Sequence, residues 1–392
     1  MVWSWKRRSR PGAAGLSAAL TPQDLTQLYG LGDLYARGIF GQGSRIGFIE
    51  FARPSAADDT AFWSRYSVRP DLNRPARGVE IDLSPGDPGA LGETDLDLQY
   101  AGALAPGADL VAYLIDDRGD AAAFMGRLYD ALARAAADGC RFVSISLGTG
   151  DAAAAAAAPI QSPSGSAWPN AEAYAQALDA LITSNGMMVF AAAGDSGAYG
   201  GLPFHDLTPQ PVWPATQGAV IAVGGTQLVT PGDVTSGEEA WGGQALDPEA
   251  PGYSQGNTLP AASGGGGTSQ LHPVPAHQSA LGAAMRQTPD LAAFAGPLTI
   301  VDLGREVAVW GTSAAAPIAA SLCALCSQAL GRAPTVTELY AAARDITSGN
   351  NMNDTLMREG LNDFAAAGSG YDLCTGAGSL TAADVMRAMS QG

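Results

Sequence analysis

Residues 108–147, ADLVAYLIDDRGDAAAFMGRLYDALARAAADGCRFVSISL, contain the pattern that decides the fold. The mainly apolar runs Ala108 to Ile115 and Phe142 to Leu147 have the length of buried strands. Between them, Asp120 to Asp138 is long and rich in alanine, which favours a helix. A helix that connects two buried strands predicts a parallel pair with the helix packed on one face.

The same alternation of apolar strands and helices continues on both sides of this stretch. Further strands are expected at Arg45 to Glu50, Val79 to Leu83, Met187 to Ala193, Val220 to Gly224 and Val307 to Trp310, and helices at Ser55 to Tyr66, Glu93 to Leu104, Ala171 to Ser184 and Ala314 to Leu330. Continuous apolar strands separated by helices are typical of a sheet buried on both faces. We therefore predict a three-layer α/β fold, with helices on both faces of a mostly parallel central sheet.

The chain divides into a short tail and one large domain. Residues 1–20 carry Lys6 and three arginines, followed by an apolar stretch too short for a secretory signal, so we expect a disordered basic tail. Residues 21–392 form the domain. Within it, the Ala-, Pro- and Ser-rich residues 151–170 predict a surface insertion, and four glycines at 264–267 predict a flexible loop or a close backbone approach.

The composition excludes several classes of function. The chain has 392 residues and a formal net charge of −17, which disfavours binding to nucleic acid or to an anionic membrane. The long uncharged runs are interrupted by Pro, Ser and Gly, so no membrane span is expected. Lys6 is the only lysine and lies in the tail, which excludes a P-loop and a Schiff-base lysine.

The four cysteines are too few for a disulfide framework at this length. Cys323 and Cys326 form a C-x-x-C inside an apolar helical run. We interpret this pair as core thiols, with a disulfide and a metal site as alternatives.

Gly311-Thr312-Ser313-Ala314 lies between an apolar strand and a long apolar helix. A serine in this position projects its hydroxyl from a helix N-terminus, where free N–H groups and the helix dipole favour developing negative charge. The position suits a nucleophile, and it equally suits an ordinary N-cap serine.

Carboxylates are the candidates for the base that a nucleophilic serine needs. Glu93 and Asp97 share one face of a predicted helix, where two like charges are unfavourable unless one is protonated or function requires the pair. The alternative is a solvated acidic face, which Asp95 supports. Asp195 follows strand Met187 to Ala193, at the end where open α/β sheets place their sites. It suits an Asx turn or, when protonated, a hydrogen-bond donor to an oxyanion.

Together these segments resemble the sedolisin family, the serine-carboxyl peptidases. The similarity covers about Thr21 to Leu380. Motifs of the family are matched, in order and separation, by Glu93-Thr94-Asp95-Leu96-Asp97, Gly194-Asp195-Ser196-Gly197 and Gly311-Thr312-Ser313-Ala314.

The resemblance implies a subtilisin-like fold and a role for each matched residue. Ser313 would be the nucleophile, and Glu93 its general base. Asp97 would orient and support Glu93, and Asp195 would help to form the oxyanion hole. Glu50, at the end of the first strand, resembles a glutamate that extends the acidic network in some members.

Two further features concern the family comparison. Some members have tryptophan where this chain has Leu147, which removes a ring N–H that could hold the acidic network. Near the C-terminus, two segments resemble the family's calcium site, which implies one structural calcium ion within residues 345–372. The implied ligands are the carboxylates of Asp345 and Asp372 and the carbonyls of Ile346, Gly368 and Gly370.

The expected function is endopeptidase hydrolysis of polypeptides through an acyl-enzyme, with an optimum at roughly pH 3–5. Two alternatives are a non-catalytic peptide-binding protein on the same scaffold and a histidine-dependent subtilisin relative. The second is disfavoured because none of His205, His272 and His277 precedes Gly-Thr, as the base of subtilisin-like proteases does.

The resemblance also bears on partners and location. The family is usually made with a large N-terminal prodomain, whereas about 20 residues precede the matched region here. A prodomain would be separately encoded, already removed or dispensable. We expect a monomer that acts outside the cell or in an acidic compartment, although no secretory signal is recognisable.

Overall fold

The computed structural model describes residues 19–82, 91–116, 120–200, 207–242, 262–353, 356–357 and 360–391. His205 and most of the predicted tail lie outside these ranges. The helices described are α1 (Pro22–Leu28), α2 (Gly32–Ala36), α3 (Ala56–Tyr66), α4 (Leu91–Leu104), α5 (Ala121–Ala137), α6 (Asp151–Ala155), α7 (Ala171–Ser184), α8 (Thr312–Leu330), α9 (Val336–Ala342) and α10 (Ala382–Gln391). The strands described are β1 (Arg45–Glu50), β2 (Arg77–Asp82), β3 (Asp109–Ile115), β4 (Phe142–Ile145), β5 (Thr149–Gly150), β6 (Ile160–Gln161), β7 (Ala167–Trp168), β8 (Met188–Ala192), β9 (Val212–Trp213), β10 (Val220–Leu228), β11 (Glu238–Ala240), β12 (Gly267–Pro273), β13 (Met285–Thr288), β14 (Leu291–Phe294), β15 (Leu298–Asp302) and β16 (Arg305–Val309).

An eight-stranded sheet forms the centre of the fold. Its strands lie in the order β11-β10-β8-β4-β1-β3-β2, and β14 also pairs with β10. All of these pairs are parallel except β10 with β11. Strands β3 and β4 lie on opposite sides of β1, so the direction of winding reverses there. The crevice at the carboxyl ends of β1 and β4 is therefore where such sheets place their ligands.

Two hydrophobic cores cover the two faces of this sheet. Side chains alternate along a strand, so Phe48 of β1 contributes to one core and its neighbour Ile49 to the other. The first core contains α4 and α8, and the second contains α5 and α7. The predicted fold, a mostly parallel sheet with helices on both faces, is confirmed.

Helix α8 runs through the first core. Among the described residues, it is the one helix long and apolar enough to cross a membrane, and 78% of its apolar window lies buried inside the protein. Cys323 and Cys326 are buried in this helix as free thiols, so the prediction of core thiols is confirmed.

Three segments differ in detail from the expectations. The strand expected at Val307 to Trp310 is the second strand of a β15–β16 hairpin. Segment 151–170, expected as a surface insertion, begins inside the protein, because the buried Asp151 carboxylate accepts hydrogen bonds from Thr216 Oγ1 at 2.7 Å and from Gln270 N at 2.6 Å. The four glycines make a close backbone approach, since a Cβ on Gly265 would collide with the carbonyl of Ala193.

Candidate active site

The ends of three neighbouring strands bring polar side chains to one edge of the sheet. Strand β1 ends at Glu50, β4 is followed directly by Ser146, and Asp195 comes three residues after β8. All three side chains are buried. Because β8, β4 and β1 are adjacent and parallel, their carboxyl ends form a continuous rim beside helices α4 and α8.

Helix α4 contributes the other acidic side chains. Glu93 and Asp97 are only 1% and 0% exposed, and Asp95 between them is also 0% exposed. The alternative of a solvated acidic face is therefore excluded. Carboxylates are rarely buried unless they are paired, protonated or functional, so three on one helix indicate a specialised arrangement.

A network of hydrogen bonds connects Glu50, Asp97 and Ser146. Glu50 and Asp97 lie close enough for a hydrogen bond to join their carboxyls when one of the two carries a proton. Thr94 Oγ1 donates to Glu50 Oε2 at 3.1 Å, and Ser146 Oγ lies 2.8 and 3.0 Å from the two oxygens of Asp97. The same Ser146 oxygen lies 3.2 Å from the carbonyl oxygen of Ser313, so the network reaches the candidate nucleophile.

Burial and mutual repulsion favour the neutral forms of these acids. Burial raises the pKa of Glu50 well above its ordinary value, and the nearby charge of Glu93 raises it further. Burial also raises the pKa of Asp97 well above its ordinary value, with the charge of Glu50 as the second cause. The hydroxyls of Thr94 and Ser146 oppose these shifts by donating to the ionised forms. The network therefore holds fewer negative charges than carboxyl groups.

Ser313 lies in the first turn of helix α8, whose N-cap is Gly311. Its side chain is 1% exposed, and its hydroxyl has no hydrogen-bond partner among the described residues. Pro317 lies four residues later inside the same helix and has no N–H, so it cannot donate the usual helical hydrogen bond to the Ser313 carbonyl. This carbonyl is the oxygen that Ser146 approaches.

Asp195 binds the N-terminus of the same helix. Its Oδ1 accepts hydrogen bonds from Thr312 N at 2.7 Å and from Thr312 Oγ1 at 2.8 Å. Its Oδ2 lies next to Gly311, where an added Cβ would be 2.7 Å away. Gly311 has a φ of 147°, which side chains rarely adopt, so a glycine is needed for this approach. The Asp195 carboxyl therefore lies against the turn that presents Ser313.

Three polar partners of the acidic residues were not predicted from the sequence. Ser146 contacts Asp97, Thr94 contacts Glu50, and Thr312 contacts Asp195. Thr94 and Thr312 belong to the quoted motifs, and Ser146 lies within the predicted strand Phe142 to Leu147. Their positions beside the acidic residues were visible, but hydroxyl residues are too common to single out without the folded geometry.

The histidines take part in other contacts. His277 Nε2 lies 3.1 Å from Asp290 Oδ1 and 3.5 Å from Arg286. His272 is buried in β12, and burial lowers its pKa to about 4. Since no described residue is hydrogen-bonded to the Ser313 hydroxyl, neither histidine is paired with it as a base.

The residues implied as calcium ligands lie around one loop near the C-terminus. Gly370 N donates to Asp345 at 2.8 Å, and Gly368 N donates to Asp372 at 3.1 Å. Carboxylate and carbonyl oxygens are the donors that calcium prefers. No group of three or more His, Cys, Asp or Glu side chains suited to a metal occurs in the described residues. Calcium binding here stays a prediction that would rely on two carboxylates, backbone carbonyls and water.

The chain is similar to several known proteins. A protein-family model described as the subtilase family matches residues 89–360. Kumamolisin from Bacillus sp. (strain MN-32) is 32% identical over 95% of this chain, and xanthomonalisin from Xanthomonas sp. (strain T-22) is 29% identical over 94%. The chain spans 64% and 46% of the lengths of these two relatives.

The solved structures include a similar fold. Pseudomonas sedolisin, a serine-carboxyl proteinase complexed with two molecules of pseudo-iodotyrostatin, superimposes with a TM-score of 0.72 at 24% identity. The similarity covers 95% of this chain and 98% of that one. Because the subtilase model matches more than half of the chain, the protein belongs to the subtilase family, and its resemblance to the sedolisins, the serine-carboxyl peptidases, is confirmed.

Proposed function

We propose that this protein is a serine-type endopeptidase that cleaves polypeptides at acidic pH through an acyl-enzyme on Ser313. The observation that carries the proposal is the buried network from Glu50 through Asp97 and Ser146 to the backbone of Ser313. Buried carboxyls of raised pKa beside a helix-terminal serine suit general acid–base chemistry rather than a structural role. An acidic optimum in turn suggests an extracellular location or an acidic compartment.

In the proposed reaction, Ser313 Oγ attacks the scissile carbonyl carbon, and its proton passes to the ionised Glu93. Asp97 and Glu50, which share a proton, hold Glu93 in place. The negative charge that develops on the substrate oxygen accepts a hydrogen bond from a protonated Asp195. Glu93 then returns the proton to the departing amine, and water repeats the sequence to release the acyl group. This mechanism requires that Glu93 is ionised while Asp195 is protonated.

The first prediction concerns the pH dependence of this reaction. Cleavage of a casein-type substrate should follow a bell-shaped profile with its maximum at roughly pH 3–5, because the base must be ionised while the oxyanion donor keeps its proton. The profile is measured as kcat/KM against pH, with a Ser313→Ala protein assayed in parallel. An optimum above pH 7 would contradict carboxylate catalysis.

The Ser313→Ala control also tests the alternative of a non-catalytic binding protein. Such a protein would retain peptide without cleaving it, and the two proteins would behave alike. Equal turnover by both proteins would remove Ser313 from the mechanism and point to a contaminating peptidase or to another nucleophile.

The second prediction is one structural calcium ion held by Asp345, Asp372 and the carbonyls around them. Adding calcium to chelator-treated protein should raise its melting temperature, since a ligand that binds only the folded chain stabilises it.

The calcium dependence of the melting temperature is the diagnostic quantity. Asp372 also accepts hydrogen bonds from Cys374 N and Thr375 N, both at 2.8 Å, so its replacement lowers stability even without a metal. We expect Asp345→Asn and Asp372→Asn each to abolish the response to calcium, whereas Asp71→Asn, on an exposed loop, should retain it. A response that survives both replacements would exclude this site.

A further inference from the structure

Helix α4 has a second face, opposite to the one that carries Glu93 and Asp97. Successive residues are about 100° apart around a helix, so Asp95 lies about 200° from Glu93. Asp95, Gln99 and Gly102 are spaced i, i+4 and i+7 and share this second face. All of it is packed inside the protein against α3 and β15.

The contacts on this face leave little room for movement. Trp63 Nε1 of α3 donates to the Gln99 carbonyl at 3.0 Å, and a Cβ on Gly102 would lie 2.5 Å from the Trp63 ring. The Gln99 side chain donates to Val301 O at 2.7 Å and accepts from Val301 N at 2.8 Å. Strand β15 continues through β16 to Ser313. The contacts on this face therefore also fix the position of Glu93, on α4, relative to Ser313.

Two carboxyls are enclosed in this contact. Asp59 lies one turn before Trp63 on α3, and both Asp59 and Asp95 are 0% exposed. None of their four oxygens has a hydrogen bond of normal geometry within the described residues. Buried acids without such partners are strongly disfavoured in the charged form.

The charged groups nearest to Asp59 and Asp95 are also acids. Burial raises the pKa of Asp59 to about 8, and the charge of Asp58 adds to the shift, while the Gln99 side chain opposes it. Burial is the largest cause that raises the pKa of Asp95, to about 9, and the charges of Asp59, Asp58 and Asp302 raise it further. A hydrogen bond with the Ser55 backbone acts in the opposite direction. Helix α3 and strand β15 thus both present acids to Asp95.

We propose that Asp59 and Asp95 are positioning residues that hold the base-bearing helix α4 against α3 only while both are neutral, and release it when they ionise. Neither residue touches the reacting atoms. They act through α4, whose opposite face carries Glu93 and Asp97. The consequence for catalysis rests on the proposed function, but the release of the helix does not.

The direction of the effect follows from proton linkage. Both carboxyls bind protons more tightly in the folded state than in the unfolded chain, where aspartate titrates near 4. The stability that the neutral pair supplies is complete below about pH 4 and is lost as pH rises towards 8–9. The helix is therefore anchored under acidic conditions and loosened under alkaline ones.

Hydrogen exchange of α4 amides tests this directly and needs no catalytic activity. Exchange rates at pH 5 and pH 8.5 are corrected for the intrinsic effect of pH. In the native chain, we expect α4 to lose at least about tenfold of its protection at pH 8.5. In the Asp59→Asn/Asp95→Asn protein, whose amides mimic neutral carboxyls in shape, most of this loss should disappear. Each single replacement should give an intermediate loss.

Two control variants distinguish the effect of Asp59 and Asp95 from that of other acidic residues. Asp71→Asn removes an equal charge from an exposed loop and should behave like the native chain. Glu50→Gln/Asp97→Asn neutralises the other buried pair and should leave the alkaline loss of α4 protection in place. The proposal is overturned if the native chain shows no alkaline loss, or if the Asp59/Asp95 double variant loses as much protection as the native chain.

Residual activity after alkaline treatment tests whether Asp59 and Asp95 affect catalysis. Each protein is held at pH 8.5, returned to acidic pH and assayed against its own untreated sample. The native chain should inactivate at least about tenfold faster than the Asp59→Asn/Asp95→Asn protein. If exchange behaves as expected while neither the native chain nor any variant hydrolyses peptide at any pH, the role proposed for Asp59 and Asp95 is supported and the proposed function is contradicted.

Discussion

Replacing Ser313 with alanine is expected to lower kcat/KM for a peptide substrate by about 10⁴- to 10⁶-fold, the range found when a nucleophile is removed from a catalytic unit. The substitution deletes one oxygen that makes no hydrogen bond to the described residues. The fold should therefore survive with an unchanged melting temperature. Steady-state kinetics at the acidic optimum measure the loss, and a thermal melt of the same sample shows that the fold is intact.

Glu93→Gln should cause a loss of similar size. Glutamine preserves the shape of the buried side chain but cannot accept a proton as a general base. Because the serine and its base act as one unit, the double variant should be hardly less active than either single variant. Losses that multiply instead would mean that Glu93 acts independently of Ser313.

Asp97→Asn distinguishes the base from the residue that orients it. Asparagine can still accept the hydrogen bond from Ser146, whose Oγ lies 2.8 Å from an Asp97 oxygen. It can also donate to Glu50, as a protonated Asp97 would. We therefore expect a smaller loss than for Glu93→Gln. A larger loss would reverse the roles assigned to these two acids.

The sequence predicted the framework of this site well because the framework depends on local patterns. The apolar runs ending at Glu50 and Ala193 indicate buried strands, and the carboxyl ends of adjacent parallel strands meet at one edge. The spacing of Glu93 and Asp97 places them on one face of whichever helix forms. These relations hold without knowledge of the tertiary packing.

What the sequence could not predict depends on long-range packing. Asp95 looked like evidence for a solvated helix face, yet it is fully buried, because α3 and the β15–β16 hairpin cover that side of α4. The partner of Asp95, Asp59, lies in a segment read only as a helix. Likewise, the contact between Ser146 and Asp97 joins residues 49 positions apart. Helical periodicity assigns a residue to a face but does not indicate what covers that face.

Asp195→Ala should lower kcat by about 10²- to 10³-fold, as expected when one donor to an oxyanion is lost. The helix would lose an acceptor as well, since Asp195 Oδ1 is bound by Thr312 N at 2.7 Å and by Thr312 Oγ1 at 2.8 Å. The change in kcat alone therefore does not separate the two effects, and a second substitution is needed.

Asp195→Asn provides that separation. Its amide oxygen can accept the same two hydrogen bonds from Thr312, and its NH₂ group would take the place of Oδ2 beside Gly311. An amide keeps its N–H at every pH, whereas a carboxyl donates only while it is protonated. We therefore expect a smaller loss than for alanine and an alkaline limb of the kcat profile displaced towards neutral pH, up to the point where α4 loosens. An alkaline limb that stays where the native protein has it would mean that another group carries the proton, and Asp195 would then be a helix cap rather than the oxyanion donor.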